Sequence, residues 1–452
     1  MTQKKYFGTD GVRGRVGGSV IHPEFMLKLG WAIGSVLSQT SQKPQVLIGR
    51  DTRISGELLQ MALQTGLISA GVDVSILGVM STPAIAFLTQ QLNASAGIVM
   101  SASHNPYEDN GVKVIGHDGL KLSDAWELAV EKKLEETLSC VDSNHLGNLN
   151  YIFEPVSQYI SHCINLFGKT FSLKNYKLVL DCANGATFNC APQIFSALGA
   201  EVIVMHAEPN GKNINAGCGA TDVASLQARV LLEKADCGIA FDGDGDRLMM
   251  VDHTGECVDG DEILCVLATD ETQKYTAIVG TLMSNLGLEK ALQSRGIQFE
   301  RAAVGDRYVL EKLKQNHWRL GGEGSGHIVN LDYATTGDGV ITALQVLRIM
   351  QNTQKSLRDL KQIMFKRPQI LLNVKVKEPN KFSSMPEISD AVMKAEKKLN
   401  GSGRILLRAS GTESCVRVMV ECDEEKQARE LAESLVRVVA DCFANAHTKP
   451  QL

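Results

Sequence analysis

The sequence predicts an α/β protein: three tandem α/β domains with parallel-rich mixed sheets, and a smaller α+β C-terminal domain, around a central cleft. Short apolar runs of strand length alternate with helix-length segments through residues 1–368. In each of three blocks, one such run ends abruptly in a glycine-rich polar loop. The last block departs from this plan, with two β-like stretches ahead of a long helix. Boundaries fall near 152, 254 and 368, giving domains 1–152, 153–254, 255–368 and 369–452.

The first block opens with the glycine-rich turn Gly8 to Gly14, which carries Arg13. A helical segment follows from Glu24 to Leu37. Val46 to Gly49 reads as a buried strand ending in the charged turn Arg50 to Arg53. A helix from Ser55 to Ala70 stops at Gly71, and Val72 to Leu77 is the next strand. Another helix starts at Thr82. The strand Gly97 to Met100 then runs into Ser101-Ala102-Ser103-His104-Asn105-Pro106 and on to Lys113. Pro106 lacks an N–H and keeps Asn105 out of helical angles, so the strand opens into a rigid turn.

The plan recurs with strands at Lys177 to Asp181, Glu201 to Met205 and Cys237 to Phe241, the last opening into Asp242-Gly243-Asp244-Gly245-Asp246-Arg247. It recurs again with strands at Thr276 to Gly280, Ile297 to Arg301 and Trp318 to Leu320, leading to Gly321-Gly322-Glu323-Gly324-Ser325-Gly326-His327. Alternating strands and helices imply parallel sheets, and such sheets bind ligands at the carboxyl ends of their strands. The three polar loops are therefore expected to meet in one cleft. In the last block, Ile370 to Val376 and Arg404 to Leu407 are β-like, and a helix runs from Asp423 to Ala440. The charged helices Asp124 to Glu136 and Ala395 to Lys398 read as solvated faces.

Composition narrows the function classes. A net charge of -5 argues against general nucleic-acid binding, since no basic excess is present to neutralise phosphates. Eleven cysteines without a C-x-x-C pair read as reduced core residues of a cytoplasmic protein. The polar start Met1 to Lys5 lacks the apolar core of a signal peptide, and no apolar run is long enough to span a bilayer.

Asp242, Asp244 and Asp246 would repel one another unless a cation neutralises them. Glycine spacers allow all three to converge, and oxygen ligands suit Mg²⁺ or Ca²⁺. An EF-hand fails, because Arg247 and His253 stand where its glycine and glutamate belong. Asp242 as an aspartyl-phosphate nucleophile stays open. Mg²⁺ usually takes few carboxylates and shares a phosphate oxygen, which a phosphate on Ser103 would supply. His104 and Lys113 are then candidates for proton transfer or charge stabilisation. Glu323, Ser325 and His327 suit the hydroxyls of a sugar. Arg408, Ser410, Thr412 and Arg417, with the backbone around Gly411, form a phosphate cradle. A Walker A loop at Gly168-Lys169-Thr170 fails, since Cys163 replaces its first glycine.

Together the motifs Ser-Ala-Ser-His-Asn-Pro, Asp-Gly-Asp-Gly-Asp-Arg, Gly-Glu-Gly-Ser-Gly-His and Arg-Ala-Ser-Gly-Thr-Glu resemble those of the α-D-phosphohexomutases, in order and over nearly the whole chain. Gly8 to Gly14, Pro209 to Asn215, Cys218 to Thr221, Val304 to Val309 and Gly322 to His327 resemble the branch acting on amino-sugar phosphates. The resemblance implies a four-domain isomerase that interconverts glucosamine 6-phosphate and glucosamine 1-phosphate, on the route to UDP-N-acetylglucosamine. The alternative within the family is action on glucose or mannose phosphates. It implies that Ser103 carries phosphate, that Ser103, Asp242, Asp244 and Asp246 hold one Mg²⁺, and that a sugar bisphosphate is intermediate and activator. Arg13, Lys113, Arg247 and His327 fall at catalytic or phosphate-adjacent positions. Glu323, Ser325, His327, Asp306, Arg307, Arg408, Ser410, Gly411, Thr412 and Arg417 fall at substrate-binding ones. Ser414 stands where the family usually has proline, and Ile115 where an aromatic is common. The expected partners are the amino-sugar phosphate and, in a homodimer, a second copy of the chain; neither nucleic acid nor membrane is expected.

Overall fold

Four sheets organise the chain in a computed structural model, which describes residues 4–8, 10–39, 41–168, 170–409 and 414–446. The first sheet runs in the order Val12–Arg15, Asp109–Gly116, Ala96–Met100, Gln45–Arg50, Asp73–Val79, Leu149–Tyr151. Its centre is parallel, and the two strands nearest the N-terminal edge are antiparallel. The second sheet orders Cys257–Val258, Leu248–Asp252, Cys237–Phe241, Lys177–Asp181, Glu201–Met205. The third orders Gln298–Ala302, Ala277–Thr281, Leu320–Gly322, Ile328–Asn330. The fourth is antiparallel throughout: Gln369–Lys375, Cys415–Glu421, Arg404–Ala409.

One device repeats in the first three units. A parallel strand ends in a polar loop, and the chain returns antiparallel beside it. The closing pairs are Met100 with Val112, Phe241 with Leu248 and Gly322 with Ile328. These return strands are absent from the sequence reading, which continues each loop past them. The difference matters most at Lys113, which lies on the strand Asp109–Gly116, opposite Val99. Strand pairing thus aims its side chain, where a loop would leave it free.

Elsewhere the elements fall close to expectation. The helices Pro23–Leu37, Gly56–Ser69 and Leu286–Gln293 each lie within two residues of the predicted spans. Four points differ. The strand predicted at Trp318 to Leu320 is Leu320–Gly322. The last helix is Glu425–Ala446. Arg417 is not on a loop but in the strand Cys415–Glu421, paired with Arg408. The helix Asp124–Leu134 is also more than a solvated face: Glu131 is buried and accepts backbone N–H groups of Lys5, Tyr6 and Phe7.

The apolar core is unevenly shared. One cluster, including Leu47, Ile85, Val99, Leu180, Phe241, Leu264 and Ile341, runs continuously through the first three units. The C-terminal unit has its own core around Val374, Val418, Val420 and Leu435. It meets the third unit through polar contacts. Arg404 donates to Leu282 O at 2.7 Å and Ser284 O at 2.6 Å, and Glu421 accepts Leu286 N–H at 2.6 Å.

Candidate active site

Ser103 sits in the hairpin loop after Ala96–Met100, buried and with φ +53°. A left-handed serine must be held by its surroundings. Ser101 Oγ accepts the Ser103 N–H at 2.8 Å and donates to Asp51 Oδ2 at 2.6 Å. Arg53, fully buried, pairs with the same Asp51 oxygen at 2.8 Å and donates to Ser103 O at 2.9 Å and Asn105 O at 2.8 Å. From the second unit, Asn215 Nδ2 donates to the same two carbonyls, at 2.9 and 3.1 Å. Ser101 is therefore the structural neighbour of Ser103, and the charged turn Arg50 to Arg53 is its scaffold.

This scaffold points the Ser103 hydroxyl at the acidic loop, where it donates to Asp242 Oδ2 at 2.6 Å. The loops pack so closely that a Cβ on Gly243 would lie 2.5 Å from Ser103 O, so only glycine fits there. Carboxylate oxygens of Asp242, Asp244 and Asp246 lie within 4.8 Å of one another, and all three residues are buried. Asp244 Oδ2 accepts from Thr82 Oγ1 at 2.7 Å and from Lys113 Nζ at 2.8 Å, and Lys113 reaches Asp246 Oδ2 at 3.1 Å. Asp244 Oδ1 and Asp246 Oδ1 are buried without a hydrogen-bond partner. Buried carboxylate oxygens left unpaired beside a serine hydroxyl fit a hard divalent cation.

The charges are balanced locally. Burial, then Asp246 and Asp244, push the Asp242 carboxyl well above its ordinary range. Burial acts the same way on Asp246, but Lys113 and His327 outweigh it and hold Asp246 well below that range. Burial pulls Lys113 down, yet Asp10, Asp244 and Asp246 together raise it well above the usual lysine value. Lys113 is thus a permanent cation among carboxylates. His104 is the opposite case: burial, then Arg247 and Arg13, lower it to about 4, so its ring is neutral at pH 7.

Asp10 and Lys121 extend this lattice, and neither was singled out from the sequence. Asp10 pairs with Arg13, with Lys113 and with Lys121. Lys121 continues to Asp306 of the third unit at 2.5 Å. His327 stands between Asp246 Oδ1 and Asp306 Oδ2, 3.7 Å from each. Arg247 Nε is 3.9 Å from Asp246 Oδ1. Arg307 is placed differently from its neighbours. Its guanidinium is engaged by Asp124, Glu127 and Glu311, tying the third unit to the first.

A cavity of about 740 Å³ opens between the third and fourth units, lined among others by Glu323, Ser325, Asn285, Lys366, Arg408 and Arg417. Glu323 is buried and accepts the Gly305 N–H at 3.0 Å. Burial and the facing Arg417 lower the Arg408 pKa. Two guanidinium groups brought together at one strand pair suit a dianion. Ser410, Gly411 and Thr412 lie outside the described residues.

A serine hydroxyl beside a buried acidic cluster that fits a cation, together with a polar cavity lined by two arginines, suits phosphoryl transfer on a small phosphorylated substrate. Comparison with known proteins agrees. Residues 4–139, 157–255 and 259–367 match the phosphoglucomutase/phosphomannomutase alpha/beta/alpha domains I, II and III, and residues 371–438 match the C-terminal domain of that family. The chain belongs to the phosphoglucomutase/phosphomannomutase family. Among its relatives, the phosphoglucosamine mutase of Coxiella burnetii (strain RSA 493 / Nine Mile phase I) is 55% identical over 97% of this chain and 99% of its own. That of Hydrogenovibrio crunogenus is 52% identical over 98% and 99%. A phosphoglucomutase/phosphomannomutase family protein from Burkholderia thailandensis shares the fold at TM-score 0.79 and 23% identity, covering 96% of this chain and 97% of that one. So does Aspergillus fumigatus N-acetylphosphoglucosamine mutase, solved with GlcNAc-6P and magnesium, at TM-score 0.67, 17% identity and coverages of 98% and 96%.

Proposed function

We propose that this chain interconverts glucosamine 6-phosphate and glucosamine 1-phosphate by way of phospho-Ser103 and a bisphosphorylated sugar. The observation that carries the chemistry is the Ser103 hydroxyl, held 2.6 Å from Asp242 at a buried cluster of carboxylates. The full-length similarity to phosphoglucosamine mutases carries the substrate. Ser103, Asp242, Asp244 and Asp246 would hold one Mg²⁺, which when bound offsets charge on the transferring phosphoryl group.

The chain's own residues supply the rest. The P–Oγ bond of phospho-Ser103 breaks as sugar O1 bonds to phosphorus, and the proton lost from O1 ends on Ser103 Oγ, restoring its hydroxyl. Lys113, kept charged by Asp10, Asp244 and Asp246, stabilises the equatorial oxygens. Arg13 and Arg247 add positive charge at the rim, and His327 and Asp306 orient the lattice. Glu323 and Ser325 accept and donate to sugar hydroxyls. Arg408 and Arg417, with Ser410, Gly411 and Thr412, hold the phosphate that is not reacting. The bisphosphate then reorients, and its 6-phosphate returns to Ser103. Added sugar bisphosphate would prime an unphosphorylated enzyme.

Ser103→Ala should lose nearly all turnover while still binding glucosamine 6-phosphate in calorimetry; unchanged turnover sinks the mechanism. Phosphopeptide mapping should find acid-stable phosphate on Ser103, whereas a hydroxylamine-labile phosphate on Asp242 would make the protein a phosphatase-type enzyme instead. Parallel assays with glucosamine, glucose and mannose phosphates test the substrate, and faster turnover of either hexose overturns it. Removing divalent cations with a chelator should abolish activity, and Mg²⁺ should restore it.

A further inference from the structure

Away from the Ser103 centre, the second unit gathers three different ligand types. Asp181 ends the strand Lys177–Asp181, and His206 follows directly on the neighbouring strand Glu201–Met205. Cys218 comes from the loop beyond. One carboxylate oxygen, one imidazole nitrogen and the thiol sulfur all lie within 4.8 Å of one another. Asp181 and Cys218 are completely buried. His206 Nδ1 is buried and 3.1 Å from Asp181 Oδ2, but its contact lacks hydrogen-bond geometry, so the nitrogen has no hydrogen-bond partner. The His206 side chain is 29% exposed, which leaves a route to solvent.

We propose that Asp181, His206 and Cys218 form a second metal site, selective for a borderline-soft divalent ion of the zinc class. Carboxylate, imidazole and thiolate together are ligands of that class, whereas the all-oxygen loop at Asp242 suits Mg²⁺. Zinc binds sulfur at about 2.3 Å and nitrogen or oxygen at about 2.0 Å, so ligand atoms around it lie about 3.3–3.7 Å apart. Closing the cluster needs side-chain adjustments of about 1 Å. Burial, then Asp181 and Asp222, raise the Cys218 thiol to about 12, so the metal-free site holds S–H. Binding forms the metal–sulfur bond and releases that proton to solvent. Water fills the fourth position on the exposed side of His206.

The site would act as a clip. It joins two strand ends to the loop 206–219. That loop carries Asn215, whose side chain holds the carbonyls of Ser103 and Asn105. Asp181 Oδ2 also accepts the Gly219 N–H at 2.9 Å, and Asn215 N–H donates to Ala183 O at 2.9 Å. Metal here therefore steadies the serine loop's second-unit support without touching the reacting atoms.

The test uses the full chain, stripped of metal and then held in excess Mg²⁺ so that the acidic loop is filled. Titrated Co²⁺ should give a thiolate-to-metal charge-transfer band that saturates at one equivalent, and Zn²⁺ should displace it and raise Tm. Cys218→Ser should lose the band and the Zn²⁺-dependent rise in Tm while keeping Mg²⁺-dependent activity, which shows that it folds. Cys182→Ser, at a buried cysteine next to Asp181, should keep the band. His206→Gln removes a direct ligand and should weaken Co²⁺ binding by more than the roughly tenfold typical of losing an outer-shell partner. No band at one equivalent, or a band that survives Cys218→Ser, overturns the proposal.

Discussion

The centre at Ser103 and the cleft at Arg408 handle charge in opposite ways. At Ser103, carboxylates and cations are buried together and braced from three units. Lys113 alone contacts Asp10, Asp244 and Asp246. At the cleft, two arginines face a cavity of about 740 Å³, on a unit that has its own apolar core and polar seams to its neighbour. The difference matches the two tasks proposed for these regions. Phosphoryl transfer gains from fixed charges that need no reorganisation. Holding either phosphate of a sugar that must turn over needs room and a forked, tolerant anion site.

Removing the central cation should have the largest effect. Lys113→Met leaves the buried Asp244 without its cationic partner, which should cost about 3–5 kcal/mol in urea denaturation and abolish measurable turnover. Mg²⁺ should recover part of the stability, because it supplies positive charge to the same carboxylates. Full stability without Mg²⁺ would break the comparison, since the centre would then not depend on buried charge balance. Arg53→Lys should come next. It keeps the charge but loses the fork that holds Asp51 and the carbonyls of Ser103 and Asn105. About 1–3 kcal/mol of stability should go, and kcat should fall about a hundredfold with KM little changed. Arg408→Lys probes the other region. Loss of one charged, forked contact should raise KM about tenfold, leaving stability and phospho-Ser103 formation intact. A collapse of kcat at constant KM would place Arg408 in the chemistry instead.

The two regions were also unequally legible in the sequence. Ser103 and the three aspartates stand in compact motifs directly after apolar strands, so local pattern exposed both residues and position. The bracing did not show. Asp10 meets Lys121 across 111 positions, and Asn215 reaches Ser103 across 112. Nothing local marks such pairs, because strand order and unit packing create them. Lys113 was legible as a residue but not as a strand residue, since its return strand follows a polar loop and closes by antiparallel pairing. Arg417 has the same history in the last unit, where pairing with Arg408 brings two like charges together. Arg307 shows the converse. The family resemblance puts it among the substrate-binding positions, while packing against the helix Asp124–Leu134 gives its guanidinium to Asp124 and Glu127.

Asp338 offers the mildest and most pointed test, because it is a buried carboxylate outside the cation lattice. It caps the helix Gly339–Thr353, accepting the Ile341 N–H at 2.9 Å and the Tyr159 O–H at 2.7 Å. Burial raises its pKa from 3.8 to about 6, unlike Asp246, which its cations hold low. The native state therefore favours the protonated acid. Asp338 contributes most below its unfolded pKa, and that contribution falls as pH rises through about 6. Asp338→Asn keeps the cap acceptor and cannot ionise. In urea denaturation the variant should gain on the wild type by about 2–3 kcal/mol between pH 4 and 7. A gap that does not change with pH would mean that the wild-type carboxylate is charge-compensated after all, and the contrast between braced and unbraced buried acids would fail at this position.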